Sequence, residues 1–145
     1  MKTLYDVERK LRMIAEEVQD TEEAKMNAML APEPISCDID TQTSRIRYIA
    51  KEWEQNHRGE LHGGVVASMF DVSMGMSVLA FSDHDSVATA DLDVSFIRPF
   101  MGESFIFEVN VIRIGRTMAR VRALATDEKT GKLLASATSN FVYAD

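Results

Sequence analysis

The sequence predicts an α+β domain in which one buried helix is covered by a curved antiparallel sheet of five or six strands. The first indication is the stretch from Gly63 to about Phe81, which is apolar around nearly its whole circumference, as helices enclosed by protein are. The second is the series of long alternating segments after it, which short turns join into a meander. Because helix and strands are segregated along the chain, the order favours α+β over a parallel α/β sheet.

Length, charge and cysteine content limit the possible functions. The 145 residues are enough for one domain, and the formal net charge of -7 argues against a nucleic-acid binder, whose surface would be basic. The single cysteine, Cys37, can form no internal disulfide, and we expect a small apolar filler in a reducing compartment. No signal peptide or run long enough to span a bilayer is apparent, so we predict a cytoplasmic protein without membrane contact.

The N-terminal segment predicts an amphipathic helix. Apolar residues recur at three- and four-residue steps from Thr3 to about Leu30, where two prolines end the pattern. Acidic residues dilute the apolar stripe after Val18, so one long helix and two short ones both remain open. We therefore divide the chain into a helical extension, residues 1–31, and a main domain, residues 32–145. The extension is expected to pack on the domain surface.

Alternation of apolar and polar residues locates the strands. A pair is predicted ahead of the buried helix, at Ile35 to Asp40 and at Ser44 to Trp53. After the helix, the strand that ends at Phe96 alternates in a way that puts Thr89 on the face opposite Leu92. Glycine turns then divide the rest of the chain into three strands, at residues 103–114, 117–127 and 132–143.

The start of the buried helix is the first candidate for chemistry. The N–H groups at a helix start have no partner within the helix, and glycine lets a carbonyl oxygen approach them. We expect Gly63 and Gly64 to polarise a carbonyl or bind an oxyanion, which would serve acyl transfer. His62, just before them, could hold the turn by hydrogen bonding or could transfer protons.

Asp71, two turns further along the helix, is the second candidate. Aspartate is a poor helix former and is costly to bury unpaired, so a function is favoured: activating water or binding a hydroxyl. A structural hydrogen bond across an interface is the alternative. Asn56, in the loop before the helix, could orient water or substrate, or could only stabilise its own turn. No histidines have metal-ligand spacing, and neither nucleotide-binding glycine motifs nor a GxSxG elbow is present, so we predict no metal and no cofactor.

A group of arginines makes the C-terminal part of this acidic chain locally basic. Arg120 and Arg122 alternate on one strand, so their side chains share a face and could reach the phosphates of a nucleotide-containing carrier. They could equally be ordinary surface arginines that pair with neighbouring glutamates. The other members of the set are Arg98, Arg113 and Arg116.

Two stretches together resemble a known family. They are NHRGELHGG at residues 56–64, followed by Asp71, and TADLDVSFIRP at residues 89–99. Over about residues 35–143 the chain is similar to the hotdog-fold acyl-CoA thioesterases of the phenylacetyl-CoA and 4-hydroxybenzoyl-CoA thioesterase type. The resemblance implies a long central helix wrapped by the sheet, a homodimer or a dimer of dimers, and active sites at the subunit interface.

The resemblance also implies residue roles in the hydrolysis of an acyl-CoA to a carboxylic acid and free CoA. By position, Asp71 would be the base or nucleophile, and the Gly63 N–H would polarise the thioester carbonyl. Asn56 would position substrate or water, and His62 would support the turn. Thr89 stands where relatives can carry a serine hydroxyl that aids the attacking water.

Three functions are compatible with this pattern. Hydrolysis is favoured because binding alone would not require a carboxylate beside the thioester. The rivals are a non-catalytic acyl-CoA-binding or regulatory hotdog protein and an enoyl-CoA hydratase, whose usual Asp/His arrangement is not evident. In each case the residues expected to contact the acyl-CoA are Gly64, Arg98, Arg116, Arg120 and Arg122.

Overall fold

The structure is a computed structural model that describes residues 1–19 and 25–145. The N-terminal segment forms two helices, α1 (Leu4–Gln19) and α2 (Met26–Leu30), and Lys25 is extended immediately before the second. The predicted fading of the apolar stripe falls on the Val18 side chain and residues 20–24, which lie outside the described part.

Within residues 1–19 and 25–145, six strands form one antiparallel sheet, which confirms the α+β class and the meander. In sheet order β1-β2-β4-β5-β6-β3, every neighbouring pair is antiparallel. The strands are β1 (Glu33–Asp38), β2 (Thr43–Ile49), β3 (Val87–Phe96), β4 (Ser104–Ile114), β5 (Met118–Asp127) and β6 (Leu133–Tyr143).

The predicted extent of β2 is wrong at its C-terminal end. The strand stops at Ile49 instead of Trp53, because the Glu54 side chain accepts Lys51 N–H and so stabilises the start of a short 3₁₀ turn, Glu52–Glu54. This turn redirects the chain toward the glycine turn and has consequences for the site described below.

The central helix α3 (Gly63–Phe81) is buried under the sheet, as its composition predicts. Val66, Met69 and Phe70 are fully buried, and Phe70 packs edge-to-face on Phe107 of β4. The expectation that no run could span a bilayer is wrong by length and hydropathy, since α3 meets both criteria. Its apolar character is accounted for by burial beneath the sheet. One narrow stripe of the helix, which includes Asp71, stays half-exposed.

A β-bulge in β3 overturns the predicted side-chain alternation. The register against β6 shifts between Thr89 and Asp91, which leaves Ala90 as an extra residue. Thr89 therefore pairs with Phe141 and faces α3, on the same side as Leu92. The prediction that Thr89 and Leu92 lie on opposite faces is wrong because sequence alternation cannot reveal the inserted residue.

The helix α1 packs against the end of α3 that is remote from the glycine turn. Lys10 Nζ donates to the carbonyl oxygens of Ser82 and His84, at 3.3 and 2.8 Å, and Lys2 Nζ also donates to Ser82 O. Cations at this position satisfy the free carbonyls of a helix C-terminus and complement its dipole. The N-terminal segment thus stabilises the end of α3, at about 28 Å of helix rise from Gly63.

We expect Tyr48→Phe to lower the free energy of unfolding by about 1–3 kcal/mol, because it leaves the buried Ser73 hydroxyl without its hydrogen-bond partner. Tyr48 Oη lies 2.8 Å from Ser73 Oγ and donates to Met69 O at 3.2 Å, and all three residues are buried. Urea unfolding measures the effect. Tyr143→Phe is the matched control, since its hydroxyl bonds Gly115 O in a half-buried place. Equal losses in the two variants would contradict the prediction.

Candidate active site

The glycine turn presents free backbone donors at the start of α3. His62 is the N-cap: its carbonyl accepts Val66 N–H at 3.0 Å, and its own N–H donates to Glu54 O at 2.9 Å. Within residues 1–19 and 25–145, the N–H groups of Gly63 and Gly64 have no acceptor. Both glycines are exposed. An incoming carbonyl oxygen can therefore reach two unpaired donors that the helix dipole makes more positive.

A cavity of about 420 Å³ lies in front of this turn. The Phe96 ring forms one wall and lies so close to Gly63 that a Cβ there would be 3.3 Å from Phe96 Cζ. A Cβ on Gly64 would meet nothing within 4 Å. Gly63 is thus the position at which an aromatic side chain approaches the backbone most closely.

Asp71 is oriented by Thr89. The threonine hydroxyl donates to Asp71 Oδ1 at 2.6 Å, and this contact depends on the bulge that turns Thr89 toward α3. Asp71 is half-buried on the open stripe of the helix, and Oδ2 makes no hydrogen bond to any described residue. The carboxylate is therefore held by one oxygen while the other is free to act.

Asn56 and His62 both serve the turn. Asn56 Oδ1 accepts the N–H groups of Arg58 and Glu60, at 2.9 and 3.2 Å, so the structure shows the turn-stabilising alternative. The His62 imidazole is exposed and makes no hydrogen bond within the described residues, and its contribution here is made by its backbone.

The structure separates the predicted basic cluster into three places. Arg98 lines the cavity at Gly63, and its Nη1 donates to Leu133 O at 2.6 Å. A second depression, of about 490 Å³ at the β4–β5 turn, contains Arg116 and Arg120 together with Arg113. Arg122 lies in a third, where its Nε donates to Asn110 Oδ1. In the part of the chain that the structure describes, none of these five arginines forms a salt bridge.

Sequence reasoning passed over three residues at the site. Arg58 lines the Gly63 cavity and pairs with Glu60 at 3.2 Å, and the Phe96 ring lies beside the glycine. Glu54 is fully buried next to the turn. The polar run around Glu54 carries no periodic signal, and Phe96 reads as one more strand residue.

The remaining titratable and metal-ligand candidates lie apart from this site. Burial raises the pKa of the Cys37 thiol to about 11, so the thiol stays protonated and is a poor nucleophile. Among the described residues, no three His, Cys, Asp or Glu side chains are grouped so as to hold a metal ion.

Comparison with known proteins gives a consistent result. The model of the thioesterase superfamily matches residues 58–134, just over half of the chain. Acyl-coenzyme A thioesterase 13 of Mus musculus is 26% identical over 72% of this chain and 69% of its own. The medium/long-chain acyl-CoA thioesterase YigI of Escherichia coli is 30% identical over 57% of this chain, and the match spans 61% of that relative's length.

Solved structures match nearly the whole chain. A phenylacetic acid degradation-related protein of Ralstonia eutropha is 25% identical with a TM-score of 0.76, and the match covers 94% of this chain and 98% of that one. Thioesterase superfamily member 2 of Mus musculus, 19% identical over 99% and 100% of the two chains, gives a TM-score of 0.80. The second likeness concerns the fold alone, which is the hotdog fold expected from the sequence.

Proposed function

The chain belongs to the thioesterase superfamily, and from this premise we propose that it hydrolyses an acyl-CoA to a carboxylic acid and free CoA, at sites that two copies form together. The observation that carries the proposal is the pair of half-sites on α3. One is the free N–H of Gly63, and the other is the Asp71 carboxylate held by Thr89. Relatives named as acyl-CoA thioesterases support the substrate class.

The two half-sites are too far apart to act on one thioester within a single chain. Asp71 follows Gly63 by two helical turns, a rise of about 12 Å. Reacting atoms must approach to about 3–3.5 Å, and the oxyanion donor lies at a similar distance from the carbonyl oxygen. The partner for each half-site must therefore come from a second copy.

The exposed edge of β3 is where we place the second copy. This strand ends the sheet and is solvent-exposed along most of its length, with Leu92 36% and Phe96 53% exposed. An unpaired edge of this kind is a ready template for another strand. Pairing two β3 edges antiparallel about a two-fold axis brings the Thr89 end of one copy beside the Phe96 end of the other. Association of such dimers into tetramers stays a prediction.

The proposed reaction balances with water as the only co-reactant. The Gly63 N–H donates to the thioester oxygen and stabilises the negative charge that develops there. As a base, Asp71 takes a proton from water while the water oxygen bonds to the carbonyl carbon; the C–S bond then breaks, and the CoA thiolate takes that proton. As a nucleophile, Asp71 bonds to the carbonyl carbon, the C–S bond breaks and CoA leaves as the thiolate; water then hydrolyses the anhydride, which frees the acid and the Asp71 carboxylate, and the thiolate takes the remaining proton. Thr89 leaves one carboxylate oxygen free for either route.

Substrate contacts follow from the chemistry of CoA, whose phosphates require cations. Arg98 shares the cavity with Gly63 and would contact the substrate nearest the thioester, together with the Gly64 N–H. Arg116, Arg120 and Arg122 lie further out, and we keep them as candidates for the phosphates. A cytoplasmic location and the lack of nucleic-acid or membrane partners stay predictions from composition.

Release of free thiol from a panel of acyl-CoA substrates tests the proposed function. The panel includes short, long and aromatic acyl groups, and a thiol reagent reports CoA. Because the Cys37 thiol is part-buried and protonated, it should add little background. If the wild type binds acyl-CoA but releases no thiol, the proposed hydrolase activity is rejected, and the non-catalytic acyl-CoA-binding protein becomes the favoured function.

Mixing two inactive variants tests the shared site. We expect Gly63→Pro and Asp71→Asn to be inactive separately, since each dimer then lacks one group at both sites. A heterodimer of the two has one doubly defective site and one intact site. Random mixing should therefore restore roughly a quarter of wild-type activity, as expected for an isologous two-fold dimer. The measurement is kcat after joint refolding, and no gain over the separate variants would reject the shared site.

A further inference from the structure

A buried glutamate lies beside the glycine turn. In the 3₁₀ turn Glu52–Glu54, the burial of the last two side chains is the reverse of what apolar packing favours. Trp53 is 45% exposed, whereas Glu54 is 0% exposed. Glutamate is almost never fully buried unless it is paired, so its place inside needs a reason beyond packing. None of the roles proposed above uses Glu54.

Glu54 anchors the loop that leads into α3. Its Oε1 accepts Lys51 N–H at 2.6 Å, and its main-chain oxygen accepts His62 N–H at 2.9 Å. A β-bridge between Gln55 and Leu61 continues this pairing, so the loop is closed at its base. Since the last residue of the loop is the N-cap of α3, a displacement of Glu54 is passed directly to the first N–H donors of the helix.

The contacts of Glu54 suit a neutral carboxylic acid. Oε2 is buried and has no hydrogen-bond partner within residues 1–19 and 25–145. The ammonium of Lys51 donates instead to Leu30 O and Ile49 O, at 3.1 and 3.3 Å. Burial raises the pKa of Glu54, whereas the hydrogen bond from Lys51 N–H and the charge of the Lys51 ammonium lower it by smaller amounts.

The other titratable groups around Glu54 do not offset a negative charge. Tyr48 on β2 is fully buried, and burial raises the pKa of its phenol; the hydrogen bond with Ser73 lowers this pKa by a smaller amount, and the charges of Asp71 on α3 and of Glu54, when ionised, raise it further. Ionised Glu54 would therefore be buried with one oxygen unpaired, and its charge would be offset in part by the Lys51 ammonium, which is engaged with two main-chain carbonyls.

We propose that Glu54, as a neutral carboxylic acid, is a positioning residue that holds the Gly63 N–H in place, and that its ionisation releases the glycine turn. The effect on rate rests on the proposed hydrolysis, whereas the effect on the loop does not. Because the fold favours protonated Glu54, the folded loop loses stability as the pH rises from the unfolded pKa through the folded pKa. Above that range the loop relaxes, and the Gly63 donor loses its place.

The backbone amides report this movement without any substrate. We expect the ¹⁵N–¹H resonances of His62 and Gly63 to shift as Glu54 ionises, in a titration of the wild type from acidic to alkaline pH. Glu54→Gln keeps an oxygen that can accept Lys51 N–H but does not ionise, so this shift should be lost. Glu52→Gln is the matched control, an exposed carboxylate in the same turn, and should behave as the wild type. Identical titrations in the wild type and Glu54→Gln would overturn the proposal.

The pH profile of kcat supplies the functional readout. In the wild type, kcat should fall about tenfold for each pH unit above the ionisation of Glu54, since the oxyanion donor is then lost. Glu54→Gln should remove this high-pH limb and keep the rate that the wild type shows below the ionisation of Glu54, and Glu52→Gln should retain the limb. A limb that persists in Glu54→Gln would reject the link to catalysis. If the wild type hydrolyses no acyl-CoA, the proposed function fails, and the amide titration alone decides the positioning role.

Discussion

Replacing Gly63 with proline is expected to lower kcat by about 10²–10³-fold while the fold is retained, because it deletes one oxyanion donor. Proline has no N–H but is favoured at the first position of a helix, which Gly63 occupies. Its predecessor, His62, already has the extended backbone that proline requires, with ψ at 139°. Thiol release from the best acyl-CoA substrate measures kcat, and circular dichroism checks the helix content.

Two alanine variants separate the lost donor from added bulk. Gly63→Ala keeps the N–H and adds a Cβ that would lie 3.3 Å from Phe96 Cζ, so the ring must shift by a few tenths of an ångström. Gly64→Ala adds a Cβ in open space and should stay close to the wild type. We expect the proline variant to be far slower than either. Equal kcat in Gly63→Pro and Gly63→Ala would show that the Gly63 N–H does not stabilise the transition state.

Asp71→Asn is expected to lower kcat by about 10²–10⁴-fold, with little change in KM. The amide keeps the shape of the carboxylate and can still accept the Thr89 hydroxyl, but it neither removes a proton from water nor attacks a carbon. Steady-state thiol release with both parameters fitted measures the split. A small change in kcat with a large rise in KM would assign Asp71 to binding instead.

Variants at Thr89 test how far the orientation of Asp71 matters. Thr89→Ser keeps the hydroxyl that donates to Asp71 Oδ1 and should retain most of the rate. Thr89→Val keeps the shape and loses the hydrogen bond, so kcat should fall, though less than in Asp71→Asn. If Thr89→Val were as active as the wild type, the hydroxyl would have no part in placing the carboxylate.

The periodicity of apolar residues predicted the fold well because the segments with the strongest patterns are also the most deeply buried. The helix from Gly63 to Phe81 and the meander of β4, β5 and β6 lie where alternation and apolar content put them. The predicted C-terminal end of β2 was wrong because the 3₁₀ turn depends on the Glu54 side chain, which accepts a hydrogen bond from Lys51 N–H. Local propensity carries no trace of such a bond.

The candidate site was predictable in its parts and not in its assembly. Gly63 and Asp71 stand out because glycine at a helix start and aspartate in an apolar helix are both costly without a function. The contact of Thr89 with Asp71 depends on the extra residue at Ala90. Because alanine is compatible with either face of a strand, the apolar–polar pattern does not show that the alternation is interrupted there. The division of the arginines among three depressions depends on how the strands are ordered in the sheet, which their sequence spacing does not specify.

The bulge at Ala90 also affects the register in which β3 pairs with its neighbour β6. A strand exposed along most of its length has little buried apolar surface to resist slippage, and a slip of one residue would turn every side chain over. The extra residue interrupts the pairing of β3 with β6 at a defined place, between Thr89 and Asp91, so the bulge helps to fix the register of the two strands. The same bulge determines which backbone groups of β3 point outward along its free edge. It would therefore also fix the register in which a second chain pairs with that edge, so one alanine sets both alignments.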